Sequence, residues 1–567
     1  MSEELDRFDA FAGARKAASL IVLRDRAPAG LEVLMLRRAE RDGDLRSGAA
    51  VFPGGVLDAR DRQAHAHCRG WNDAQASARL GLPEGGLDYL VAAVRESFEE
   101  VGLLFAADDG GERGEGAQTL DLTALEHAHQ HWRGPLQRGE QPLHALCEAL
   151  QLTIDLSGWH YWSHWLTPPG NPKRFDTRFF VTRAPAGQLA EADGGEAVEL
   201  MWLTPQQALE PARGLKLLPV TRRTLQQLAR HADVAQALAF AQAQQAVPLT
   251  MPRLATRRGE RTVVLPDELP WAEVARLDPA GRGDVLAEIV PGQPVRLSPR
   301  VIRVTAANAG VMTGPGTNSY LVADPAVNRW TVIDPGPADE THLQALLAAA
   351  PGPIERILVT HTHIDHSPGA RALAAASGAP VLGRRPAHAL GQDPDFSPTQ
   401  ELQGGEQLTL GPDATLAVVH TPGHASNHLC YQLLQERLLF TGDHVMQGST
   451  VVINPPDGDM AAYFASLGAL LAVDLRWLAP GHGFLVAQPH AVLRALIAHR
   501  TRREDKVLAT LKAQAGARLD ELLPRVYDDT PQQLHPVARR SLLAHLQKLR
   551  GEGRAQEQGG VWSAAAR

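Results

Sequence analysis

The chain has 567 residues and a formal net charge of −8, and its composition, 44% hydrophobic and 21% charged, is typical of a globular protein. At about 150 residues per domain, this length predicts three or four domains. The excess of acid excludes a global attraction to nucleic acid or anionic membranes, although a local basic patch is compatible with it. Three widely spaced cysteines argue against a disulfide framework.

The ends and apolar stretches of the chain bear on its location. The first residues are acidic and no apolar run follows them, so a secretory signal is not expected. The longest apolar stretch, residues 460–473, is too short to cross a bilayer and predicts a buried helix. With the sparse cysteines, these features predict a cytoplasmic protein without a membrane partner, and they leave the oligomeric state open.

The N-terminal third begins with two predicted strands and a glycine turn. Residues 17–24 and 31–38 have the apolar and β-branched content of strands. They lead to a turn in which Gly54 and Gly55 would let the backbone approach a ligand closely.

A predicted helix over residues 87–101 follows and places three carboxylates on one face. Glu96, Glu99 and Glu100 stand at positions i, i+3 and i+4. Clustered carboxylates repel one another unless a cation lies among them, and hard oxygen ligands suit Mg or Mn bound to substrate phosphates. The alternative for this motif alone is a solvated acidic face, and the preceding glycine turn favours the metal site.

The turn and the helix together resemble the Nudix box, Gx5Ex7REUxEExGU. Gly55 begins the motif, Asp61 stands in place of its first glutamate, and residues 95–103 supply the rest. Residues 62–94 form a long insertion, and this layout looks like the coenzyme-A-diphosphatase branch of the family. The resemblance implies a Nudix α/β/α domain over residues 15–245 that hydrolyses a nucleoside-diphosphate-linked compound, with CoA or acyl-CoA favoured.

The Nudix resemblance also implies roles for single residues. Glu99 and Glu100 would hold Mg or Mn, and Glu96 would be the catalytic residue that orients or deprotonates the attacking water. In the loop before the last strand, Glu196 is the expected further carboxylate and Glu199 the second choice. Substrate-binding or supporting roles are also implied for Arg95, which would fix the helix through a salt bridge, and for Gly54 and Gly55.

Residues 246–295 are punctuated by Pro, Arg and Gly and lack sustained periodicity beyond residues 271–277. They predict an interdomain connector. After it, the apolar residues 354–360 predict a short buried strand that ends in a histidine-rich loop.

That loop reads His361-Thr362-His363-Ile364-Asp365-His366. Side chains two apart on an extended segment share a face, so His361 and His363 can hold one ion while Asp365 and His366 face a second. Imidazole and carboxylate suit Zn, and ligand type alone leaves Mn and Fe open. Further single ligands, each in a glycine-containing turn after an apolar run, follow at His424, Asp443 and His482.

This ordered set resembles the metallo-β-lactamase superfamily over residues 296–495, which implies an αββα sandwich with two zinc ions. The first ion would be held by His361, His363 and His424, and the second by Asp365, His366 and His482, with Asp443 between the two. Asp365 is also the predicted catalytic residue of this centre. Supporting positions without a metal bond are implied for Asp334 and expected for His428 and His444.

Residues 496–565 have the layout of a winged helix, with predicted helices and a final hairpin. Residues 499–554 hold twelve Lys/Arg against seven Asp/Glu, a net charge of +5. This segment would lie on phosphates or would pack on the hydrolase and close its cleft. Residues 308–322 and 530–538 are similar to the β-lactamase-like endoribonuclease subgroup, whose members include single-strand-specific enzymes.

The sequence therefore predicts a two-headed, metal-dependent hydrolase and leaves its substrates open. For the zinc head, single-stranded RNA is favoured by the subgroup resemblance. An acyl thioester is the alternative, because such a head would act on the same pool as a CoA-cleaving Nudix partner. In a third hypothesis one head is a non-catalytic binding module, which predicts a missing ligand that neither set shows.

Overall fold

The computed structural model describes residues 9–40, 47–108, 120–195, 197–514 and 516–565. The chain divides into two compact units, the first over Asp9–Leu254 and the second from Ala255 onward. Glu196 lies outside the described residues, so its predicted role stays a prediction.

The N-terminal unit is built on a mixed sheet. Its central strands, Ala14–Arg26 and Arg174–Arg183, run parallel to each other. Along the sheet the strands follow the order Lys216–Leu217, Ala49–Val51, Gly30–Arg38, Ala14–Arg26, Arg174–Arg183, His160–Leu166 and Leu249–Thr250. Ala197–Leu203 pairs with Gly30–Arg38, and Gly54–Val56 pairs with Ala14–Arg26. This pairing sets the glycine turn beside the centre of the sheet.

Helix Gly86–Val101 packs on this sheet with its apolar face buried. Leu90, Val91 and Val94 lie in the core while the carboxylates occupy its last turns, and the left-handed Gly102 ends the helix. The other helices are Asp73–Leu80, Leu122–His131, Arg133–Gln137, Leu143–Leu150, Pro205–Leu209, Pro219–Leu228 and Val234–Ala243. A small sheet joins Cys68–Arg69, Leu152–Asp155 and Ala106–Asp108, and 3-10 helices span Ala59–His67 and Pro211–Arg213.

The boundary segment holds more regular structure than the sequence predicts. Strands Arg253–Arg257 and Glu260–Val264 form a two-stranded sheet, and helix Trp271–Leu277 follows. Glu273 of this helix is buried against Arg303, with oxygen–nitrogen distances of 2.7 and 2.9 Å. The predicted connector is therefore partly an integral element of the second unit.

The second unit contains two facing sheets with helices outside them. The first sheet has the order Val295–Ser298, Val301–Thr305, Asn318–Asp324, Arg329–Ile333, Ile354–Leu358, Val381–Gly383 and Gln400–Glu401. The second has the order Gln407–Gly411, Ala414–His420, Leu429–Leu433, Leu438–Gly442, Trp477–Pro480 and Val486–Ala487. Side chains such as Leu358, Tyr431 and Phe440 fill the space between them.

Helices cover the outer faces of both sheets. Glu340–Ala349 and Gly369–Ser377 pack on the first sheet, and Met460–Leu470 and the start of Pro489–Lys512 pack on the second. A 3-10 turn spans Leu434–Glu436. The layers therefore follow the predicted αββα order.

The C-terminal segment has its own apolar core. Helices Pro489–Lys512, Leu519–Val526 and His535–Gly551 surround Val507, Leu542 and Leu546. The 3-10 turn Gln532–Leu534 leads into the last helix. A sheet of Ala517–Arg518, Val561–Ala564 and Ala555–Gln558 completes this part, and the hairpin stands where the sequence predicts it.

Candidate metal centres

The predicted ligands of the second unit come from loops that follow strands of both sheets. The loop at residues 361–366 follows strand Ile354–Leu358, and His424 follows Ala414–His420. Asp443 and His482 follow the neighbouring strands Leu438–Gly442 and Trp477–Pro480. Because these strand ends meet at one edge of the sandwich, rigid elements converge their side chains on one point.

The side chains form three overlapping groups in which the ligand atoms lie within 4.8 Å of one another. The groups are His361, His363 and His424; His361, His366 and Asp443; and Asp365, His366 and His482. In the first group, Nδ1 of His363 lies 3.0 Å from Nε2 of His361 and 3.0 Å from Nε2 of His424. Ring nitrogens facing one another at this distance repel unless a proton or cation lies between them.

In the other two groups, imidazole rings surround the carboxylates of Asp365 and Asp443. Nε2 of His482 lies 3.4 Å from Oδ2 of Asp365 and 3.2 Å from Oδ1 of Asp443. Nε2 of His366 lies 3.3 Å from Asp365 and 3.5 Å from Asp443. The other carboxylate oxygen of Asp443 lies 3.8 Å from Nε2 of His424, so Asp443 stands between the first group and the pair His366 and His482.

Hydrogen bonds on the outer ring nitrogens orient the imidazoles. Nδ1 of His424 lies 2.7 Å from the carbonyl oxygen of Val452, and Nδ1 of His482 lies 3.1 Å from that of Gly316. With Nδ1 donating to a carbonyl, Nε2 carries the lone pair that faces the cluster. The orientation therefore suits metal ligands.

Asp334 supports the cluster from behind. Its carboxylate lies 2.9 Å from Nδ1 of His366 and accepts hydrogen bonds from the backbone N–H and the hydroxyl of Thr360, both at 2.7 Å. Its own backbone is left-handed, with φ of 50°. A non-glycine residue is held there only by its surroundings. Asp334 therefore contacts His366 from outside the cluster, and its supporting role stays a prediction.

Burial and neighbouring charges set the protonation of the cluster. Burial, together with the surrounding imidazoles, lowers the pKa of His361 well below its usual value and that of His363 to about 3. Burial opposes charge on His366 and His482 as well, but nearby carboxylates outweigh it and raise the pKa of both. Protons or metal ions are thus drawn to the side where the carboxylates lie.

His428 and His444 lie beside the ligands. Both are fully buried, and the ring of His428 stacks on that of His361 with centroids 5.0 Å apart. Nδ1 of His428 lies 2.9 Å from the hydroxyl of Thr421. The rings of His428 and His444 are 5.7 Å apart. They belong to none of the groups above, so the structure places them around the cluster.

The donor set fits divalent metal ions. Nε2 of His366 and Nε2 of His482 lie 3.5 and 3.2 Å from Oδ1 of Asp443, but in the described structure these buried atoms make no hydrogen bond of suitable angle. Such atoms carry a desolvation cost unless a ligand satisfies them. Thr317, which the sequence analysis did not single out, donates to Asp365 at 3.1 Å and steadies its carboxylate.

The carboxylate helix of the N-terminal unit forms a second candidate site. Arg95 lies 2.9 Å from Glu96, 3.4 Å from Glu99 and 2.9 Å from Asp61, and it donates to the carbonyl of Val56 at 2.9 Å. One guanidinium thus ties the helix to the turn before it. The geometry matches the salt-bridging role predicted for Arg95.

The glycine turn lies against the same carboxylates. The backbone N–H of Gly54 donates to Oε2 of Glu100 at 2.9 Å. A Cβ on Gly55 would lie 2.2 Å from Oε1 of Glu96, and one on Gly54 would lie 2.4 Å from the carbonyl oxygen of Ala18. Only glycine therefore allows the turn to approach the helix this closely.

Desolvation perturbs the acids of this site. Burial raises the pKa of Glu99 to about 7 and Glu96 adds to the shift, while Arg95 opposes it. Burial likewise raises the pKa of Asp61 against the effect of Arg95. A carboxyl group with a pKa near 7 is a common sign of a functional site. A cation bound beside it would favour the ionised form.

The loop before strand Ala197–Leu203 brings Asp193, an acid that the sequence did not single out, to the cavity of the carboxylate helix. The second choice, Glu199, forms a half-exposed ion pair with Arg37 at 2.9 Å. Asp193, from the same loop, lines a cavity of about 600 Å³ together with Glu96, Glu99 and Glu100. Its position before Gly194-Gly195 was the signal available in the sequence, because such loops fold back on themselves.

Comparisons with known proteins identify the families to which the parts of the chain are similar. The family model of the metallo-beta-lactamase superfamily matches residues 312–482. The beta-lactamase-like protein 2 homologue of Drosophila melanogaster is 30% identical over 272 residues, which cover 46% of this chain and 90% of that protein. The chain belongs to the metallo-β-lactamase superfamily. Its predicted resemblance to that superfamily is confirmed.

The other parts of this metallo-β-lactamase-fold protein also match family models. The NUDT19 Nudix domain matches residues 71–218, and the beta-lactamase associated winged helix domain matches residues 519–562. The predicted fusion of the three parts is confirmed. A solved Nudix hydrolase from Alicyclobacillus acidocaldarius is 26% identical, covering 41% of this chain and 98% of that chain at a TM-score of 0.33.

A further relative of the metallo-β-lactamase part carries a functional name. The atrochrysone carboxyl ACP thioesterase of Aspergillus fumigatus is 34% identical over 223 residues, 38% of this chain and 66% of that protein. Because both the metallo-β-lactamase and Nudix families work with divalent metal ions, the protein is a metal-dependent hydrolase, as predicted. None of the helices in the described ranges combines the length and apolar content that a bilayer crossing requires.

Proposed function

We propose that the metallo-β-lactamase domain hydrolyses an acyl thioester at a two-zinc centre, and that the Nudix domain splits the pyrophosphate of CoA or acyl-CoA at a Mg or Mn centre. The thioester proposal rests on a cavity of about 640 Å³ over the cluster of predicted metal ligands. This volume lies within the roughly 300–1,000 Å³ typical of small-molecule sites. His363, Asp365, His424 and Asp443 form its floor.

The lining of this cavity favours an acyl group. Val311, Ile364 and Leu390 line it although their side chains are 84%, 67% and 73% exposed. Met312 and Leu534 add further exposed apolar surface to the same cavity. Clustered exposed apolar side chains mark a binding site for an apolar group. The thioesterase name of one relative is consistent with this assignment.

Single-stranded RNA is the second candidate, because Arg500, Arg503 and Arg540 line the same cavity. Against RNA, much of the basic charge of the C-terminal domain, residues 496–565, is paired within that domain. Ion pairs with its own carboxylates are formed by Arg503, Lys506, Arg539, Lys548, Arg550 and Arg554. A cation already neutralised in this way adds little to the attraction of a phosphate backbone.

The ligand roles follow the geometry of the cluster. His361, His363 and His424 would hold one ion, Asp365, His366 and His482 the other, and Asp443 would lie between them. Imidazole and carboxylate donors favour zinc. Bound there, the ions would supply Lewis-acid polarisation of the bond to be cleaved and a lower pKa of water. Asp365, which accepts a hydrogen bond from Thr317, is placed to orient the attacking water or receive its proton.

The reaction is balanced by water alone. The carbonyl carbon gains a bond to the water oxygen and loses its bond to sulfur, and the thiolate that leaves takes up a proton. The products are a carboxylic acid and a free thiol, with no oxidant or reductant required. The apolar wall would exclude bulk water from the acyl chain.

The Nudix proposal rests on the pocket that holds its carboxylates. Arg15, Phe175 and Phe179 line it together with Glu99 and Glu100. Guanidinium groups suit phosphate oxygens, and aromatic rings suit a nucleobase or pantetheine arm. Glu99 and Glu100 would hold the metal, and Glu96, beside Gly55, would orient or deprotonate water. Asp193 is the further carboxylate that we assign to this pocket.

The test separates the two domains by substitution. His363→Ala is expected to abolish thiol release from acetyl-CoA and to leave pyrophosphate cleavage intact, whereas Glu99→Gln is expected to do the reverse. His388→Ala and Glu199→Gln, at an exposed and a half-exposed position outside both cavities, are the matched controls. If either first variant kept every activity, the corresponding domain would be a binding module.

A further inference from the structure

The wall that the C-terminal domain adds to the metal-centre cavity carries an unneutralised charge. Arg500 lines the cavity and is 3% exposed. It donates to the carbonyl of Val451, and its Nε has no hydrogen-bond partner in the described structure. The ion pairs found among the described residues do not include Arg500. A buried guanidinium without a counter-ion is costly, which points to a missing anion.

Two other residues of this wall also have buried polar atoms without a hydrogen-bond partner in the described structure. The hydroxyl of Tyr527 and Nδ1 of His499 are buried atoms without a partner in the described structure, and both residues line the same cavity. Burial raises the pKa of Tyr527, so its hydroxyl remains a donor. The unpartnered hydroxyl donor of Tyr527 near a buried cation suits the oxygens of a phosphate or a carboxylate.

Arg540 adds a second cation to this wall. It lines the cavity from helix His535–Gly551, is exposed, and has no ion-pair partner among the described residues. Arg539, one residue earlier on the same helix, is bound instead to Asp520 and does not line the cavity. Arg503 lines the cavity too, but Asp529 neutralises it at 2.9 Å and its guanidinium stacks on Tyr527.

We propose that Arg500, Tyr527 and Arg540 form an anion subsite that binds a phosphate or carboxylate of the substrate away from the bond that is cleaved. This inference rests on the proposed thioester hydrolysis. The apolar side chains over the cluster would hold the acyl group, while the subsite would hold the charged end of the molecule. The C-terminal domain is then a substrate-selecting wall of the active site.

The test compares thioesters that differ only in charge. Butanoyl-CoA and succinyl-CoA carry the CoA phosphates, whereas the matching N-acetylcysteamine thioesters lack them, and only the succinyl pair carries an acyl carboxylate. For Arg540→Ala and Tyr527→Phe we expect KM to rise about tenfold, with kcat nearly unchanged, for the thioesters that carry the anion bound by the subsite. The loss of a charge-assisted hydrogen bond implies a change of this size. Arg539→Ala is the control and should behave as wild type.

The substrates identify the source of the anion. A KM increase confined to both CoA thioesters assigns the subsite to a phosphate of the leaving group, and one confined to both succinyl thioesters assigns it to the acyl carboxylate. Unchanged KM for every substrate in both variants, with wild-type thioesterase activity intact, would overturn the subsite alone. If wild type hydrolysed no thioester, or cut only RNA, the proposed function would fall and the subsite with it.

Discussion

The raised pKa of Glu99 would make the metal binding that we propose for the Nudix domain sensitive to pH near neutrality. The side chain is 8% exposed, and burial raises its pKa to about 7. A proton and a metal ion compete for the same carboxylate oxygens. Above pH 7 the carboxylate is ionised and available; below pH 7 the proton must leave before the ion binds.

The size of the effect follows from the pKa alone. One unit below its pKa a group is about one-tenth ionised, so the apparent Kd for Mg²⁺ should rise about tenfold for each pH unit below 7. A carboxylate with the ordinary pKa near 4.3 would be almost fully ionised at pH 6 and would predict no change there. The two cases differ by about 1.4 kcal/mol at pH 6.

The assay is calorimetric titration of Mg²⁺ between pH 5.5 and 8 into protein whose other centre is already loaded with zinc. We expect a flat affinity above about pH 7.5 and a steep loss below 7. Glu99→Gln should bind weakly with no such transition, whereas Glu199→Gln, at the half-exposed pair with Arg37, should keep the wild-type profile. Equal affinity of the wild type at pH 6 and pH 7.5 would refute the reasoning.

Two further predictions concern groups that support the second unit. Asp334→Ala removes the acceptor of the His366 hydrogen bond, so zinc affinity should fall about 10–100-fold. The zinc that remains bound after dialysis against a chelator measures this affinity. Retention equal to that of the wild type would contradict the supporting role of Asp334. Glu273→Gln leaves the charge of Arg303 buried without its counter-charge, so the free energy of unfolding in urea should fall by about 3–5 kcal/mol. The exposed ion pair of Arg329 and Glu355 offers the control, because Glu355→Gln should lower the free energy of unfolding by less than about 1 kcal/mol.

The ligand cluster was predictable from sequence because its constraints are local. In the loop at residues 361–366, chemistry demands ligand atoms at fixed short spacing, and a preceding apolar strand holds them in place. The remaining predicted ligands each follow a strand of the same sandwich. Their order along the chain therefore indicates that they meet at one edge of it. The three glutamates of helix Gly86–Val101 were predictable for the same reason, since helical periodicity alone puts them on one face.

The walls of the cavities were not predictable, because they depend on packing between distant segments. Asp193 reaches the Nudix carboxylates only through the fold of its loop. Arg500 and Arg540 line the cavity over the predicted ligands only because the C-terminal helices pack beside it, and the sequence shows them only as members of a basic segment. Glu273 looked like part of a connector, and its burial against Arg303 depends on a contact thirty residues away.

Product analysis of the wild-type protein, loaded with zinc and magnesium and given acetyl-CoA, CoA and single-stranded RNA in parallel, tests most directly whether both domains act on CoA-linked molecules. We predict that acetyl-CoA yields a free thiol, which His363→Ala abolishes, and 3′,5′-ADP, which Glu99→Gln abolishes. Cleavage of RNA without any release of thiol would contradict the thioester assignment and would make the metallo-β-lactamase domain a nuclease fused to a separate Nudix activity.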